Sequence, residues 1–264
     1  MITGKKIVLT GASSGIGLEV LKLLSKGEGN VILAPSRTAE EKLKDFAPNV
    51  IPMNADVGSA EGVDAIFEKA AEVFGGEKID IFYANAGFPY YEEFNYTDWN
   101  RIKRIFDVNT LSPIYTYAKY REHLNGRDGV LAYTISAIGK MAMPGYALYS
   151  ASKFGLQGFQ EGIRLEKEDN IQLTCLYPIA TDTNFFNVAN ENEFEKPFPV
   201  QKPEIVARKM VSGIEKGKKF VSPSALFALS KVLMGICPPV RTVYWKLEKN
   251  KLDRFIQKSK NTEK

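Results

Sequence analysis

The chain has 264 residues, of which 44% are hydrophobic and 25% are charged. This composition is typical of a globular protein, and the length suits one large α/β domain. The net charge of +4 is concentrated at the carboxyl end, where Arg241 to Lys264 holds eight basic and three acidic residues. Because no basic groove interleaved with aromatic residues is visible elsewhere, the sequence argues against a nucleic-acid-binding protein.

The few cysteine and histidine residues exclude several kinds of site. Cys175 and Cys237 form no CxxC pair and have no histidine nearby, which argues against a metal site or a disulfide framework. We expect both to be reduced and buried. His123 is the sole histidine and lies at the polar end of a predicted helix, so a hydrolase built on histidine is disfavoured. Only three apolar residues follow Lys5 and Lys6, too few for a signal peptide, and we expect a cytoplasmic protein.

The first predicted strand, Lys6 to Thr10, ends in a glycine-rich turn that leads into a helix. Glycines permit a tight turn and a close approach to a pyrophosphate, which the free N–H groups and positive dipole end of the helix attract. The spacing is GxxxGxG and differs from the common GxGxxG pattern. The turn therefore predicts a dinucleotide-binding site. Its predicted contacts are Gly11, Ser13, Ser14, Gly15, Ile16 and Gly17.

The second predicted strand, Asn30 to Ala34, indicates which dinucleotide is bound. An acidic residue after this strand would bind the ribose 2′-hydroxyl of NAD, whereas an arginine accommodates the 2′-phosphate of NADP. No Asp or Glu occurs between residues 31 and 39, and Ser36 and Arg37 follow the strand. The sequence therefore favours NADP. NAD stays an alternative, in which Arg37 stacks on the adenine or faces solvent.

Strands and helices continue to alternate along the chain, which predicts a single-domain α/β fold with a Rossmann-like doubly wound parallel sheet of about seven strands and helices on both faces. Ligands of such sheets bind beyond the carboxyl ends of the strands, so residues that follow strands should share one edge. These are Asp56, Val57, Asn85, Ala86 and Gly87. The remaining predicted elements are a helix from Thr38 with Leu43 and Phe46 on its inner face, strand Val50 to Met53, helix Ala60 to Phe74, strand Ile79 to Tyr83, helix Asp98 to Glu122, strand Gly129 to Ile135, helix Ala147 to Lys167 and strand Ile171 to Tyr177.

A tyrosine and a lysine lie four residues apart in the predicted helix that follows the fifth strand. Tyr149 and Lys153 therefore share one helix face, where a held ammonium would favour the phenolate. Such a phenol can act as general acid toward a carbonyl oxygen or as general base toward an alcohol, if a hydride is supplied. Ser136 follows the fifth strand. Asn109 lies between apolar residues of a predicted helix, which suggests that its polar side chain faces inward and needs hydrogen-bond partners.

Two segments after the sixth strand are candidates for closing a site. A long connection carries four phenylalanines, which suggests a lid over a bulky apolar substrate. They are Phe185, Phe186, Phe194 and Phe198. The later apolar run from 225 to 240 is shorter than the roughly 20 residues that span a bilayer. It leads into a basic amphipathic segment, 240 to 260, which could lie on an acidic membrane, pack on the domain, cover the cleft or join subunits.

These motifs occur in the order of the short-chain dehydrogenase/reductase family, and from Lys5 to about Val221 the chain resembles its compact branch. The resemblance implies that residues 1–221 form the cofactor-binding catalytic domain, with 222–264 as an extension packed on it or on a partner. It implies an oxidoreductase that uses NAD(P), no metal and an assembly of two or four copies. The alternatives are a non-catalytic NADP(H)-binding sensor and an epimerase or dehydratase of the extended branch, which would need a longer carboxyl domain.

The resemblance also implies a role for each motif. Tyr149 exchanges a proton with the substrate oxygen, Ser136 orients that oxygen, Lys153 lowers the tyrosine pKa and holds the nicotinamide ribose, and Asn109 anchors a proton-relay water. Asp56 contacts the adenine, and Asn85, Ala86 and Gly87 stabilise the sheet. Pro178 and Thr183 are implied cofactor contacts, although Ile179 replaces the usual glycine after this proline.

Overall fold

The fold is a seven-stranded, wholly parallel sheet with helices on both faces, which confirms the predicted fold class. The structure is a computed structural model that describes residues 1–166, 170–190, 194–225, 227, 229 and 238–262. The strands follow the order β3-β2-β1-β4-β5-β6-β7. They are β1 Lys6–Leu9, β2 Val31–Ser36, β3 Val50–Asn54, β4 Ile81–Ala84, β5 Gly129–Thr134, β6 Ile171–Leu176 and β7 Phe220–Val221.

Two helical layers cover the sheet. Helices α3, α5 and α6 bury apolar side chains against one face, whereas α1 and α8 cover the other. The sheet is therefore buried on both sides, as parallel strands require. Among the residues that the structure describes, the helices are α1 Gly15–Leu24, α2 Ala39–Lys42, α3 Ala60–Val73, α4 Trp99–Phe106, α5 Ser112–Leu124, α6 Ala147–Glu166, α7 Phe185–Ala189, α8 Pro203–Glu215 and α9 Pro238–Thr262.

The helix predicted from Thr38 is only one turn long in the structure. α2 ends at Lys42, and the chain continues through turns to β3. Pro48 disfavours helical geometry in the residue before it, and only seven residues separate α2 from β3. Leu43 is nevertheless buried, just past the end of the helix.

The long helix predicted from Asp98 to Glu122 contains a π-helical segment, Asp107–Leu111, between α4 and α5. A π-helix inserts an extra residue per turn, and it is most often found where a helix serves a functional site. The segment carries Asn109, whose side chain is completely buried. The predicted end of α6 at Lys167 and the predicted burial of Cys237 lie outside the described residues, while Cys175 is a free, buried thiol.

Candidate active site

The carboxyl ends of β1, β4 and β5 are joined by hydrogen bonds through Asn85. Its side-chain amide donates to the carbonyl of Thr10 at 3.1 Å, and its amide oxygen accepts from the Thr134 hydroxyl at 2.9 Å. The hydroxyl of Thr10 accepts from the backbone N–H groups of Asn85 and Ala86, each at 3.0 Å. Because these polar groups are all satisfied within the protein, they fix the sheet edge on which the site is built.

The glycine turn leaves space that any side chain would fill. A Cβ at Gly17 would lie 2.2 Å from the carbonyl oxygen of Gly11, so α1 can approach β1 only without it. Gly15 has a φ of +56°, which L residues rarely adopt, and a Cβ there would lie 3.4 Å from Thr183. The turn and Thr183 thus face each other across a narrow gap. This geometry fits a pyrophosphate held at the amino end of α1.

Beyond β2, the cavity wall carries two cationic side chains and one orphaned hydroxyl. The Oγ of Ser36 is buried and has no hydrogen-bond partner in the part of the chain that the structure describes. Arg37 and Lys42 line the same cavity, and Arg37 is exposed. A buried hydroxyl without a partner is costly unless a ligand or water completes it. Together, this hydroxyl and the two cations fit a phosphate on the ribose of an adenine dinucleotide.

Asp56 lies at the end of β3 in an ion pair that the sequence does not reveal. Both of its carboxylate oxygens accept from Arg104 at 2.8 Å, and one also accepts from the N–H of Gly58 at 2.9 Å. Burial raises the pKa of Asp56, but these hydrogen bonds and the charges of Arg104 and Arg37 outweigh it and hold the pKa below its usual range. The carboxylate is therefore neutralised by its neighbour, and adenine contact by Asp56 stays a prediction.

Tyr149, Lys153 and Ser136 come together at the centre of the cavity. Tyr149 and Lys153 lie on the inner face of α6, both buried, and Ser136 follows β5. The side chain of Ser136 lies close enough to the Tyr149 phenol to lower its pKa. The Lys153 ammonium donates to the carbonyl of Thr134 at 3.0 Å and lies 5.9 Å from the centroid of the tyrosine ring.

The backbone at Ser136 is held in an unusual conformation. Its φ is 103°, and in the part of the chain described only Asn125 shares a positive φ among residues other than glycine. The Oγ of Ser136 donates to the carbonyl of Pro178 at 3.4 Å and accepts from the N–H of Ile138 at 3.3 Å. A strained backbone that persists at a polar site is typical of a position selected for function.

The π-helical segment holds Asn109 against the same centre. The Asn109 amide donates to the carbonyl of Phe88 at 2.9 Å and to the hydroxyl of Ser152 at 3.1 Å, and its oxygen accepts from the N–H of Phe88 at 3.1 Å. A Cβ at Gly87 would lie 3.0 Å from the Asn109 oxygen and 3.3 Å from the Lys153 nitrogen. Gly87 therefore keeps open the space above both groups.

The pKa values of the central pair differ from the expectation that Lys153 lowers the tyrosine pKa. Burial raises the pKa of Tyr149 above its usual value of 10.0, and the neighbouring Ser136 side chain offsets this rise only in part. Burial also lowers the pKa of Lys153 from 10.5 to about 7. Taking a charge out of water opposes ionisation of both groups, so burial moves the two pKa values in opposite directions. The phenol is thus held neutral, as a general acid must be.

A cavity of about 1010 Å³ runs along this edge of the sheet and includes every predicted cofactor contact. One end has the glycine turn and the cations after β2, the centre has Tyr149 and Lys153, and the other end is aromatic and apolar. Three of the four predicted phenylalanines line this end of the cavity. The ring of Phe194 instead stacks on that of Tyr91, with 4.1 Å between the ring centroids. The apolar end is lined by Met141, Met143, Tyr146, Phe185, Phe186, Val188, Phe198, Phe227 and Tyr244.

Helix α9 packs against the aromatic end. The indole N–H of Trp245 donates to the carbonyl of Ala142 at 2.8 Å, and the phenol of Tyr244 donates to the carbonyl of Phe198 at 3.2 Å. Farther along, Arg254 pairs with Glu195 at 3.0 Å. The carboxyl helix therefore holds both the segment before α6 and the phenylalanine-rich connection.

The segment after β6 does not need the glycine that the family usually has. Ile179 has no positive φ, so the isoleucine is accommodated without strain. Pro178 and Ile179 both line the cavity. The hydroxyl of Thr183 accepts from the N–H of Phe185 at 3.2 Å and donates to the carbonyl of Thr181 at 3.4 Å. Contact of Pro178 and Thr183 with a cofactor stays a prediction.

The cavity also contains residues that the sequence did not indicate as functional. Lys42, Arg104, Tyr146 and Tyr244 line it, although none belongs to a recognisable motif. Arg104 is 48 residues away from its partner Asp56, so no local pattern could connect them. His123 lies elsewhere, where its Nε2 accepts from the N–H of Ile79 at 2.9 Å. Within the described residues, no group of three or more His, Cys, Asp or Glu side chains could hold a metal ion.

Comparison with known proteins identifies related sequences. Residues 5–194 match the family model for short chain dehydrogenases. The uncharacterized oxidoreductase YxnA of Bacillus subtilis (strain 168) is 30% identical over 81% of this chain and 63% of its own length. The 11-beta-hydroxysteroid dehydrogenase 1A of Arabidopsis thaliana is 26% identical over 89% of this chain and 72% of its own length. The chain thus spans less than two thirds of the bacterial relative.

Solved structures share the fold. A short chain dehydrogenase from Burkholderia cenocepacia J2315 in complex with NADP superposes with a TM-score of 0.76 at 22% identity, covering 90% of this chain and 95% of that one. A short chain dehydrogenase/reductase from Burkholderia phymatum in complex with NAD superposes with a TM-score of 0.75 at 19% identity, covering 91% and 97%. At these identities the likeness concerns the fold alone, and the two neighbours hold different nicotinamide cofactors.

Proposed function

Because the chain belongs to the short-chain dehydrogenase family, we propose that it transfers a hydride between NADP(H) and a bulky apolar ketone or secondary alcohol. The observation that carries this proposal is the meeting of Tyr149, Ser136 and Lys153 in the cavity that also contains the glycine turn. A bound nicotinamide supplies or accepts the hydride. The protein must then hold the substrate oxygen and move one proton.

Tyr149 is the proton donor in the direction of carbonyl reduction. Its buried phenol is neutral, and the Ser136 hydroxyl beside it can orient the same substrate oxygen. As the carbonyl carbon becomes reduced, its oxygen gains negative charge and takes the phenol proton, which yields the alcohol. In the reverse direction the phenolate takes the proton from the alcohol. The raised pKa of Tyr149 keeps the phenol protonated, as carbonyl reduction requires.

Lys153 and Asn109 position the groups around this transfer. The Lys153 ammonium is held by the Thr134 carbonyl and can reach the ribose of a dinucleotide that lies along the cavity. Its charge stabilises the phenolate left after proton donation. Asn109 fixes the turn at Phe88 and, through Ser152, the helix that carries the tyrosine, since the Ser152 hydroxyl donates to the carbonyl of Tyr149 at 2.8 Å.

The preference for NADP rests on the end of the cavity after β2. The orphaned Ser36 hydroxyl, Arg37 and Lys42 offer one neutral donor and two cations to a 2′-phosphate. Asp56, whose carboxylate lines the same cavity, is paired with Arg104 and does not oppose a second anion as strongly as a free carboxylate would. NAD lacks this phosphate and gains nothing from the cations.

The proposed substrate class rests on the other end of the cavity. Methionine and aromatic side chains line it, and the ring of Phe185 lies 5.7 Å from that of Tyr149. Such a surface gains free energy from burying hydrocarbon, whereas a small polar ketone would leave it wet. The name of the Arabidopsis relative, a hydroxysteroid dehydrogenase, agrees with a large ring system as one candidate.

The test is a panel of ketones and alcohols assayed with NADPH and NADH on the wild-type chain and on Tyr149→Phe. We expect turnover of bulky ketones with NADPH, and the phenylalanine variant should lose about 100- to 10,000-fold in kcat because no other proposed donor remains. NADPH binding, measured by fluorescence titration, should change little. Wild-type turnover by the variant would contradict the mechanism, and NADPH binding with no turnover of any substrate would favour the sensor.

A further inference from the structure

Three exposed apolar side chains lie together outside the aromatic end of the cavity. Val243 and Leu247 are four residues apart on α9 and so share one face of that helix. Phe198 and Leu247 line a shallow groove together with Tyr244. Phe198 is 70% exposed, Val243 60% and Leu247 57%. We call Phe198, Val243 and Leu247 the mouth patch.

The mouth patch is continuous with the interior of the large cavity. Phe198 and Tyr244 line both the groove on the surface and the cavity itself. Val188, another cavity residue, is 54% exposed. Singly exposed apolar side chains need no explanation, but a contiguous patch at the opening of a site indicates an interaction surface.

Basic residues surround the mouth patch on the same helix. The α9 sequence holds seven Lys or Arg residues and two acidic ones, whereas the net charge of the chain is only +4. Lys251 and Arg254 border the groove beside the patch, but Lys251 pairs with Glu248 at 2.9 Å and Arg254 with Glu195 at 3.0 Å, so the excess charge comes from the other basic residues of α9. Lys246 is exposed, one position before Leu247, and no ion pair of it is recorded within the described residues. The surface therefore combines apolar side chains with an excess of positive charge.

We propose that the mouth patch docks on the surface of an acidic lipid bilayer. The apolar side chains would enter the boundary between headgroups and acyl chains, and the lysines and arginines would lie over anionic headgroups. In the parts of the chain that the structure describes, no helix has the length and apolarity needed to cross a membrane, so docking would be peripheral. A second copy fits the patch less well, because an isologous contact would bring two basic helices together.

Docking in this orientation would place the cavity opening against the lipid. A bulky apolar substrate dissolved in the bilayer could then enter without crossing water, which would otherwise limit its concentration. This part of the inference rests on the proposed function. Docking itself rests only on the exposed patch and the charge of α9.

The test is cosedimentation of the full chain with vesicles of phosphatidylcholine alone or mixed with phosphatidylserine, without substrate or cofactor. We expect binding to the mixed vesicles that weakens with added salt, and little binding to the neutral ones. Leu247→Ser and Lys246→Glu should each weaken binding about tenfold, through lost apolar burial and lost charge attraction respectively.

Matched substitutions at the opposite edge of the sheet serve as controls. Leu165, at the end of α6, is 90% exposed, and Lys26, just after α1, is also exposed. Leu165→Ser and Lys26→Glu should leave vesicle binding unchanged, and all four variants should turn over a water-soluble ketone as the wild type does.

Three results would overturn the proposal. One is failure of the wild-type chain to bind the acidic vesicles at low salt, and another is equal loss of binding in the controls. The third is a dimer in solution that Leu247→Ser dissociates, which would show that a second copy covers the patch. Since the binding assay contains no substrate, these results leave the proposed reaction intact, and an inactive protein that binds the vesicles leaves the docking intact.

Discussion

The two ends of the cavity are built in different ways. The cofactor end consists of residues directly after β1, β2, β3 and β4, held by hydrogen bonds such as those between Asn85 and Thr10. The apolar end is assembled from side chains far apart in the sequence, in the segment before α6, the connection after β6 and the carboxyl helix. Tyr149 and Lys153 lie where the two ends meet.

This difference separates what the sheet determines from what the loops determine. Parallel strands bring their carboxyl ends to one edge whatever their side chains are, so the place of a ligand site follows from the topology. The apolar end follows from contacts such as the hydrogen bond between Tyr244 and the carbonyl of Phe198, which no strand order requires. Substitutions at the first end should therefore change cofactor use, and those at the second end should change substrate selection.

Arg37→Ala is the substitution expected to affect the cofactor end most. If the guanidinium pairs with the 2′-phosphate, its loss should weaken NADPH binding roughly 10- to 150-fold, the equivalent of about 1.5 to 3 kcal/mol for a charge-assisted contact. NADH binding should hardly change, because NADH has no phosphate there. Titration of both cofactors by fluorescence measures the two effects.

A nearby lysine provides the control for this prediction. Lys44 is exposed and does not line the cavity, so Lys44→Ala removes one positive charge from the same region without removing a contact. It should leave both affinities as they are. If Arg37→Ala weakens NADH and NADPH equally, the arginine contacts a part that both cofactors share.

Residues that line the first end of the cavity could be named from the sequence, whereas several of those at the apolar end could not, for a physical reason. Tyr149 and Lys153 lie four residues apart on one helix. Ser136 follows the strand before that helix, so the order of strand and helix brings it to them. The pair Asp56 and Arg104, by contrast, depends on how two distant elements pack. Desolvation is likewise a property of the folded environment, which is why the raised pKa of Tyr149 could not be predicted from its neighbours in sequence.

Lys153→Met tests the buried ammonium where the two ends meet. The folded-state pKa of Lys153, about 7, is below its ordinary 10.5, so between these values the unfolded chain binds more protons. Burial of the charged amine therefore destabilises the folded protein by its full amount below pH 7, and this destabilisation decreases as the pH rises. Between pH 7 and pH 9 the wild-type free energy of unfolding should gain about 2 kcal/mol relative to the variant.

Chemical denaturation at several pH values measures this effect. Methionine also cannot form the hydrogen bond to the Thr134 carbonyl. That loss does not depend on pH, so it changes the free energy of unfolding by the same amount at every pH. Lys44→Met should follow the wild type throughout, because its ammonium is exposed. Parallel curves for the wild type and Lys153→Met would mean that the lysine stays fully charged in the folded protein.

The smallest expected effect is that of a single methylene group, and a series of ketones of increasing chain length measures it at the apolar end. Each methylene that a ketone buries there should contribute about 0.8 kcal/mol, so kcat/KM should rise about fourfold per added carbon until the cavity is filled. Tyr244→Ala should reduce this slope, because it removes a wall of the cavity and the bond that holds the carbonyl of Phe198. Tyr244→Phe keeps the ring and should preserve most of the slope. A flat or falling trend in the wild-type chain would rule out a bulky apolar substrate, and the aromatic side chains would then serve only to attach the lid and α9 to the core.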